Sequence, residues 1–409
     1  MKKIIILLFC LVVGATEMLS AQTTSDVELQ YKRSSLYSLL ISHNKAQFAG
    51  EIENVFFDIP IPDKFNNHDL SVKVITSPEN KTDEQTITTF LTQNDVAKHV
   101  VGRWFNRDPE SGVCDMNLIS ERGLYNASYL DVEMAKMSQR GFGILADAGE
   151  QLIGNTFVLV NDIRYNDRSK GARIGGAVAG GILSVLGSLF GLGDVGDLIS
   201  EGVGAMISSL KGFGVTVTSY LYRLEWNDEV ANTFYTQHYL SEGETDTAKR
   251  DAFARSDIFK LTYVGKQSTT SGNLTMASGV DFDPVAMIRK VCARAIDESI
   301  IALQRAHDEF KIKTPIHSVE PDITAHIGLK EGVTEGNRYE VLEPRYDKDG
   351  KVVFARVGVV QPVKGKIWDN RYMATEEGSA GSKLSATTFR KVTGGKFYPG
   401  LLLREIKTK

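Results

Sequence analysis

Cysteine is scarce in this chain. There are three in 409 residues, and only Cys114 and Cys292 lie beyond the apolar run at the N-terminus. Two thiols could form one bridge, which is too few for a disulfide-stapled scaffold. An excess of either charge is also lacking: 47 Lys+Arg face 51 Asp+Glu, a net charge of −4. A nucleic-acid binder wants a basic face, so that class is set aside. Apolar residues make up 42% and charged residues 24%, which excludes a disordered chain, and with no succession of long apolar runs a multi-pass membrane protein is excluded too. The sequence has no H-E-x-x-H, C-x-x-C or G-x-S-x-G, and no phosphate-loop lysine motif. No catalytic residue, cofactor or metal is therefore expected, and the expectation is a protein that is not an enzyme.

What is present starts with an address. Met1-Lys2-Lys3 is basic, Ile4 to Ala15 is an apolar run, and Ser20-Ala21 supplies small residues before Gln22. This is the pattern of a secretory signal peptide over 1–21, too short in its apolar part to span a bilayer. Val13-Gly14-Ala15 is a competing cleavage site. Bulky Phe9 before Cys10 argues against a lipid anchor there. Cys292 falls on the apolar face of an expected helix, so a buried free thiol is expected.

The rest divides into an expected α+β domain over 22–314 and an all-β domain over 315–409. Ser34 to Ser42 suits a short helix, and Glu53 to Ile61 ends in extended chain at Pro60 and Pro62. Leu70 to Ile75 alternates like a strand. Asn94 is placed to cap a helix through Phe105, with Val96, Ala97, Val100, Val101 and Trp104 on one face. Ser128-Tyr129-Leu130-Asp131 opens another helix, which Gly154 can end. Asn155 to Tyr165, Gly214 to Trp226 and Asp257 to Val264 read as strands. Asp283-Pro284 opens a long helix to about Phe310. Beyond Pro315, strands are expected at Ile323–Leu329, Arg338–Pro344, Val352–Val363, Leu384–Lys391 and Leu401–Ile406, with a turn at Asp347-Lys348-Asp349-Gly350. Five short strands in so little chain suggest a small barrel.

An insertion at 168–211 separates the first two long strands. Its heart, Ile174 to Gly193, has twenty residues, no charge and seven glycines. Gly176 with Gly180, and Gly187 with Gly191, form G-x-x-x-G pairs that let helices approach closely in a membrane. With Ile182, Leu186 and Phe190 they are the candidate residues for membrane or subunit contact. A packed or surface loop is the alternative, because each glycine weakens a helix by about 1 kcal/mol relative to alanine.

Other motifs carry less. Gly191-Leu192-Gly193-Asp194-Val195-Gly196 matches G-x-G-x-x-G but follows no expected strand. Asp347 begins like a calcium loop, yet Gly358 stands where the twelfth-position Glu belongs. His43, His68, His99, His238, His307, His317 and His326 are scattered, with no metal-ligand spacing between any two. Asp147 and Glu150 lie one helix turn apart, as solvated faces commonly show. Asp246-Thr247-Ala248, in a polar stretch, looks like the Asp-Thr-Ala sites that some envelope bacteria O-glycosylate, at Thr247; a plain loop is the simpler reading.

One phrase is more specific. Ile327-Gly328-Leu329-Lys330-Glu331-Gly332-Val333-Thr334-Glu335-Gly336-Asn337-Arg338-Tyr339-Glu340-Val341 resembles the SH3-like barrels of bacterial envelope assembly proteins, in particular the C-terminal domain of the flagellar assembly protein T family. Gly332 and Gly336 would allow the tight turn, Val333 would plug the barrel, and Tyr339 and Val341 would alternate inward, with Gly328 preceding. The preceding domain is similar, more loosely, to the curli secretion channel and its periplasmic relatives, in which membrane-crossing segments are inserted in a soluble core. This chain lacks their lipid-anchor cysteine, and its insertion is glycine-rich instead of alternating. These resemblances imply no catalytic residues. They imply an exported protein of the periplasm or outer membrane, structural or assembly in role, with envelope proteins or its own copies as partners. Two other readings stand beside it: a subunit of an outer-membrane pore or secretion channel, and an envelope-polymer hydrolase.

Overall fold

The computed structural model describes residues 34–43, 46–61, 65–67, 73–76, 82–119, 150, 152–167, 213–272, 284–346 and 352–406. The leader at 1–21, the helix expected from Ser128, Asp147, His68 and the turn at 347–350 lie outside them. So does the insertion at 168–211, with Gly176, Gly180, Ile182, Leu186, Gly187, Phe190 and Gly191.

The first described element is a strand where a helix was expected. Ser34–Ser42 is β1, and nearly every side chain along it is buried. Leu36, Leu39 and Leu40 have helical spacing, but Leu36 and Leu40 enter the core on one face of the sheet, and Tyr37, Leu39 and Ile41 enter the core on the other. A near-continuous apolar run of this kind belongs to a parallel strand covered on both sides. Helix α1 (Ala49–Phe57) follows, then short strands β2 (Phe65–Asn67) and β3 (Val74–Thr76). Glu53 to Phe57 is thus helical, and extended chain starts only beyond Asp58. Helices α2 (Glu84–Gln93) and α3 (Val96–Trp104) come next. Asn94 does not cap α3. It closes α2, donating its side-chain amide to Phe90 O at 2.8 Å, and left-handed Asp95 precedes α3. The apolar face expected for α3 is buried throughout.

Strands β4 (Thr156–Asp167) and β5 (Phe213–Leu224), helices α4 (Asp228–Gln237) and α5 (Thr247–Arg255), and strand β6 (Leu261–Gly272) lead to the long helix α6 (Pro284–Ala306). The expected third strand starts later than Asp257, because Phe259 first turns into the core. The sheet order is β2-β1-β4-β5-β6, with β3 also on β1. β1 runs parallel to β2, β3 and β4, and the β4–β5–β6 pairs are antiparallel. Helices cover both faces. On one, α1 and α6 bury Ile52, Val55, Ile288, Ala295 and Leu303 against Phe157 and Leu159. On the other, α2 to α5 bury Leu91, Trp104, Phe234 and Phe253 against Val158 and Tyr222. Cys292 sits in the first core and Cys114 in the second; both are free and do not pair. Burial pushes the Cys292 thiol up to about 12.

A buried polar bridge sets the register of the central strands. Asn161 donates its side-chain amide to Ser38 Oγ at 3.0 Å and to Leu39 O at 3.1 Å, and Ser219 Oγ donates to Asn161 Oδ1 at 2.7 Å. A slip of one residue would strand these groups in an apolar layer.

The C-terminal region is a second sheet of six strands: β7 (Thr314–Pro315), β8 (Ile323–Ala325), β9 (Tyr339–Tyr346), β10 (Val352–Pro362), β11 (Thr387–Gly394) and β12 (Leu402–Glu405). Their order is β7-β12-β9-β10-β11-β8, and every pair is antiparallel. Ser318, just after β7, bridges Thr324 of β8, so the sheet curls into a nearly closed barrel. Its own core contains Ile316, Val333, Val341, Val360, Phe389 and Leu403. Each of the five expected strands overlaps one of these. The molecule therefore combines an α+β layer structure with a barrel-like antiparallel sheet. No helix among the described residues is long and apolar enough to cross a membrane.

Candidate functional site

The sequence motif at 327–341 lies where the barrel meets helix α6. Gly328 adopts an extended conformation with Trp368 O and Asn370 Oδ1 so close that a Cβ would stand 2.2 and 2.5 Å from them. Its N–H donates to Glu331 Oε2 at 2.6 Å, and Asn370 Nδ2 donates to the same oxygen at 2.8 Å. Gly332 is left-handed, with φ of +72°, and a Cβ there would meet Ile301 of α6 at 2.9 Å. Val333, Tyr339 and Val341 point into the barrel core. Gly336 differs from expectation. It lies in a turn closed by Asn337 N donating to Thr334 O at 3.1 Å, but it is exposed, has no positive φ, and a Cβ there would meet nothing within 4 Å, so only the turn at Gly332 requires glycine.

Helix α6 meets the barrel with a stripe distinct from its core face. Lys290, Arg294, Ile301 and Arg305 are spaced four, seven and four apart, which keeps them on one side of a helix. Arg294 Nη2 donates to Glu377 Oε2 and to Tyr372 O, at 2.8 and 2.7 Å. Lys290, itself buried, pairs with the other Glu377 oxygen. Burial alone would raise the Glu377 carboxyl. The hydrogen bonds and charges of Arg294 and Lys290 outweigh that effect and hold it below its ordinary range. Farther along, Arg305 Nη2 donates to Gly332 O at 2.9 Å and to Glu405 Oε1 at 3.1 Å. Asn337 Nδ2 donates to Glu405 Oε1 at 2.6 Å. Beside this network is a cavity of about 30 Å³ lined by Gln304, Lys311, Thr314, Glu331, Tyr339 and Glu405. That volume suits a water molecule, not a substrate. Burial pushes the Tyr339 hydroxyl well above its ordinary range, so it stays a protonated donor at neutral pH. The site can hold two sheets at a fixed angle, and its polar groups are spent on that.

A second polar cluster lies at the carboxyl end of β1. His43 Nε2 and Asp162 Oδ1 are 2.6 Å apart, and both residues are buried. Arg164 Nε donates to both Asp162 oxygens, at 3.0 and 3.1 Å, and Arg164 Nη2 donates to Thr82 Oγ1 at 3.2 Å. Burial raises the Asp162 carboxyl. Hydrogen bonds from His43 and Thr82 and the charges of His43 and Arg164 reverse the balance and lower it. The Tyr220 hydroxyl donates to Thr82 O. The cluster ties the end of β1 to β4 and to the start of α2. Among the described residues, its side-chain hydrogen bonds join His43, Asp162, Arg164 and Thr82.

Thr247 is exposed and opens α5; it does not lie within a loop. Asp246 is that helix's cap, accepting from Ala248 N and Lys249 N at 2.9 and 3.1 Å. Glu150 is half-buried. Among the described residues, the structure brings one pair of the scattered histidines together: the ring centroids of His317 and His326 are 4.3 Å apart. Sequence spacing missed both this pair and the His43–Asp162 contact. A signal for the first was the turn-forming Glu320-Pro321-Asp322 midway between the two histidines. The second joins residues 119 apart, and no local pattern marks it.

No family model matches the chain, and a search of curated proteins finds no match.

Proposed function

We propose that this chain is an exported, non-enzymatic protein of the bacterial periplasm or outer membrane, a structural or assembly component that acts by holding other envelope proteins or its own copies. The barrel-like sheet, on this reading, is an SH3-like barrel that offers its loops to a partner. Its outermost strands, β7 and β8, are two and three residues long, which leaves loops more than sheet edge to be recognised.

The observation that carries the reading is the pairing of β4 with β5. It continues to Asp167 opposite Phe213, so the stretch between them leaves and rejoins the sheet at two neighbouring points. That stretch contains the uncharged apolar run Ile174 to Gly193, and a run of this composition gains by finding a surface to cover it. The leader at 1–21 supports export, and the joint at α6 gives the platform a fixed shape. The same pairing also favours a second reading, a subunit of an oligomeric outer-membrane pore or secretion channel, because an excursion between antiparallel neighbours could enter a membrane as a hairpin.

The test is fractionation with a carbonate wash, on the wild type and on a deletion of Arg173 to Gly193, with the N-terminus of the purified protein sequenced. The expected result is a cleaved leader, an envelope location, and wild-type protein that resists the wash while the deletion is released. Ring-shaped oligomers in detergent would move the reading to the channel. An intact Met1 in cytosolic protein would overturn export, and release of both forms would remove membrane contact.

A further inference from the structure

The rings of His317 and His326 come from the two sides of a small hairpin. His317 N donates to Thr324 O at 2.7 Å, and Thr324 N donates to Ser318 O at 2.9 Å. The Ser318 hydroxyl donates to Asp322 O at 2.9 Å and lies 2.7 Å from Thr324 Oγ1. The backbone that carries the two rings is thus fixed by hydrogen bonds before any ligand arrives, which is the condition for a preorganised site.

The chemistry of the rings points the same way. His326 Nδ1 is 3.0 Å from Ser385 O. A carbonyl oxygen only accepts, so Nδ1 carries the hydrogen, and in the neutral ring Nε2 is then the nitrogen with the lone pair. Metal-bound histidines are held in this way by a hydrogen bond from their other nitrogen. The His317 ring takes no hydrogen bond among the described residues. The ring centroids are 4.3 Å apart and their planes are inclined at 57°, not stacked flat. With each ring nitrogen at about 2.0–2.1 Å from one tetrahedral zinc, the two nitrogens would stand about 3.3 Å and the two ring centroids about 5 Å apart, so binding requires the rings to swing apart by about 1 Å. Both residues are exposed, so a hydrated ion can reach them.

We propose that His317 and His326 bind one divalent transition-metal ion that favours imidazole, such as zinc or copper(II), through a ring nitrogen of each. Among the described residues no third His, Cys, Asp or Glu joins them. The remaining coordination positions are therefore left to water or to a donor from another molecule. Hard cations such as magnesium and calcium, which prefer oxygen donors, would not be held.

The experiment uses the full chain without a histidine tag, titrated with zinc chloride by calorimetry and with copper(II) chloride by electron paramagnetic resonance. His317→Ala, His326→Ala and a control His99→Ala are compared, with circular dichroism to establish that each folds. The expected result is one ion per chain, nitrogen hyperfine structure from two imidazoles, and affinity lower by about tenfold or more in either variant, a loss that even an outer-shell change can produce. The control should bind like the wild type. Absence of binding in the wild type, or equal binding in the wild type and both variants, would overturn the assignment. If a variant is unfolded, the copper spectrum of the wild type still decides: a signal without two imidazole nitrogens rejects the site.

Discussion

Gly332 and Gly336 stand four residues apart in one glycine-containing segment and answer to different constraints. Gly332 has φ of +72°, and Ile301 of the long helix lies where its Cβ would be. Gly336 has neither a positive φ nor a close neighbour. A left-handed conformation costs a non-glycine residue about 1–2 kcal/mol, and at Gly332 displacement of Ile301 adds to that. Gly332→Ala should therefore lower the stability of the protein by about 2 kcal/mol, whereas Gly336→Ala should stay within about 0.5 kcal/mol of wild type, as open surface changes do. Urea unfolding followed by tryptophan fluorescence checks both. Equal effects would mean that the segment is not held against α6. The two glycines look alike in the sequence; the left-handed backbone at Gly332 and the approach of α6 separate them.

At the scale of elements, what could be read in advance was whatever is encoded within a short window. The five barrel strands and the apolar face of α3 were legible because alternation and helical spacing are local signals. β1 was not, because a strand buried on both faces loses its alternation and then imitates a helix. Asn94 was read as a start and serves as an end, since an amide can satisfy either terminus and the left-handed Asp95 has no sequence signature. Helices α2, α4 and α5 were missed; each buries only one or two side chains, so their apolar stripes are thin. The joint between α6 and the barrel was illegible for another reason. Nothing local marks Lys290 and Arg294 as partners of the barrel, and Glu377 that pairs with them is more than eighty residues away. The joint makes an element-scale prediction. Glu377→Gln leaves the buried Lys290 ammonium without its counter-charge, and breaking such a pair from one side costs about 3 kcal/mol at the low end. Adding Lys290→Met should restore part of that loss, because the penalty belongs to the stranded charge. Thermal unfolding of the two variants reads the difference; a double variant no more stable than Glu377→Gln alone would show that the ammonium is solvated.

At the scale of the molecule, the question is whether the stretch 168–212 belongs to the domain or to something the domain meets. β4 and β5 pair up to Asp167 and Phe213, so a two-residue Asn-Gly turn could replace everything between them and leave the ladder intact. Shortening a loop from about 45 residues to two spans between four and five doublings, each worth about 0.6 kcal/mol in closure entropy. If the stretch makes no contact with its own domain, the shortened protein should be more stable by up to about 3 kcal/mol. If Ile182, Leu186 and Phe190 pack on the domain instead, their loss would expose apolar surface and outweigh that gain, because each large side chain contributes about 1.5–3 kcal/mol when buried. The expected result is an unfolding midpoint at or above that of the wild type, with binding to the envelope lost. Stability and association then move in opposite directions, a pattern that a purely structural loop cannot give. A midpoint below the wild type would place the apolar stretch within the core and leave the partner to be sought on the barrel.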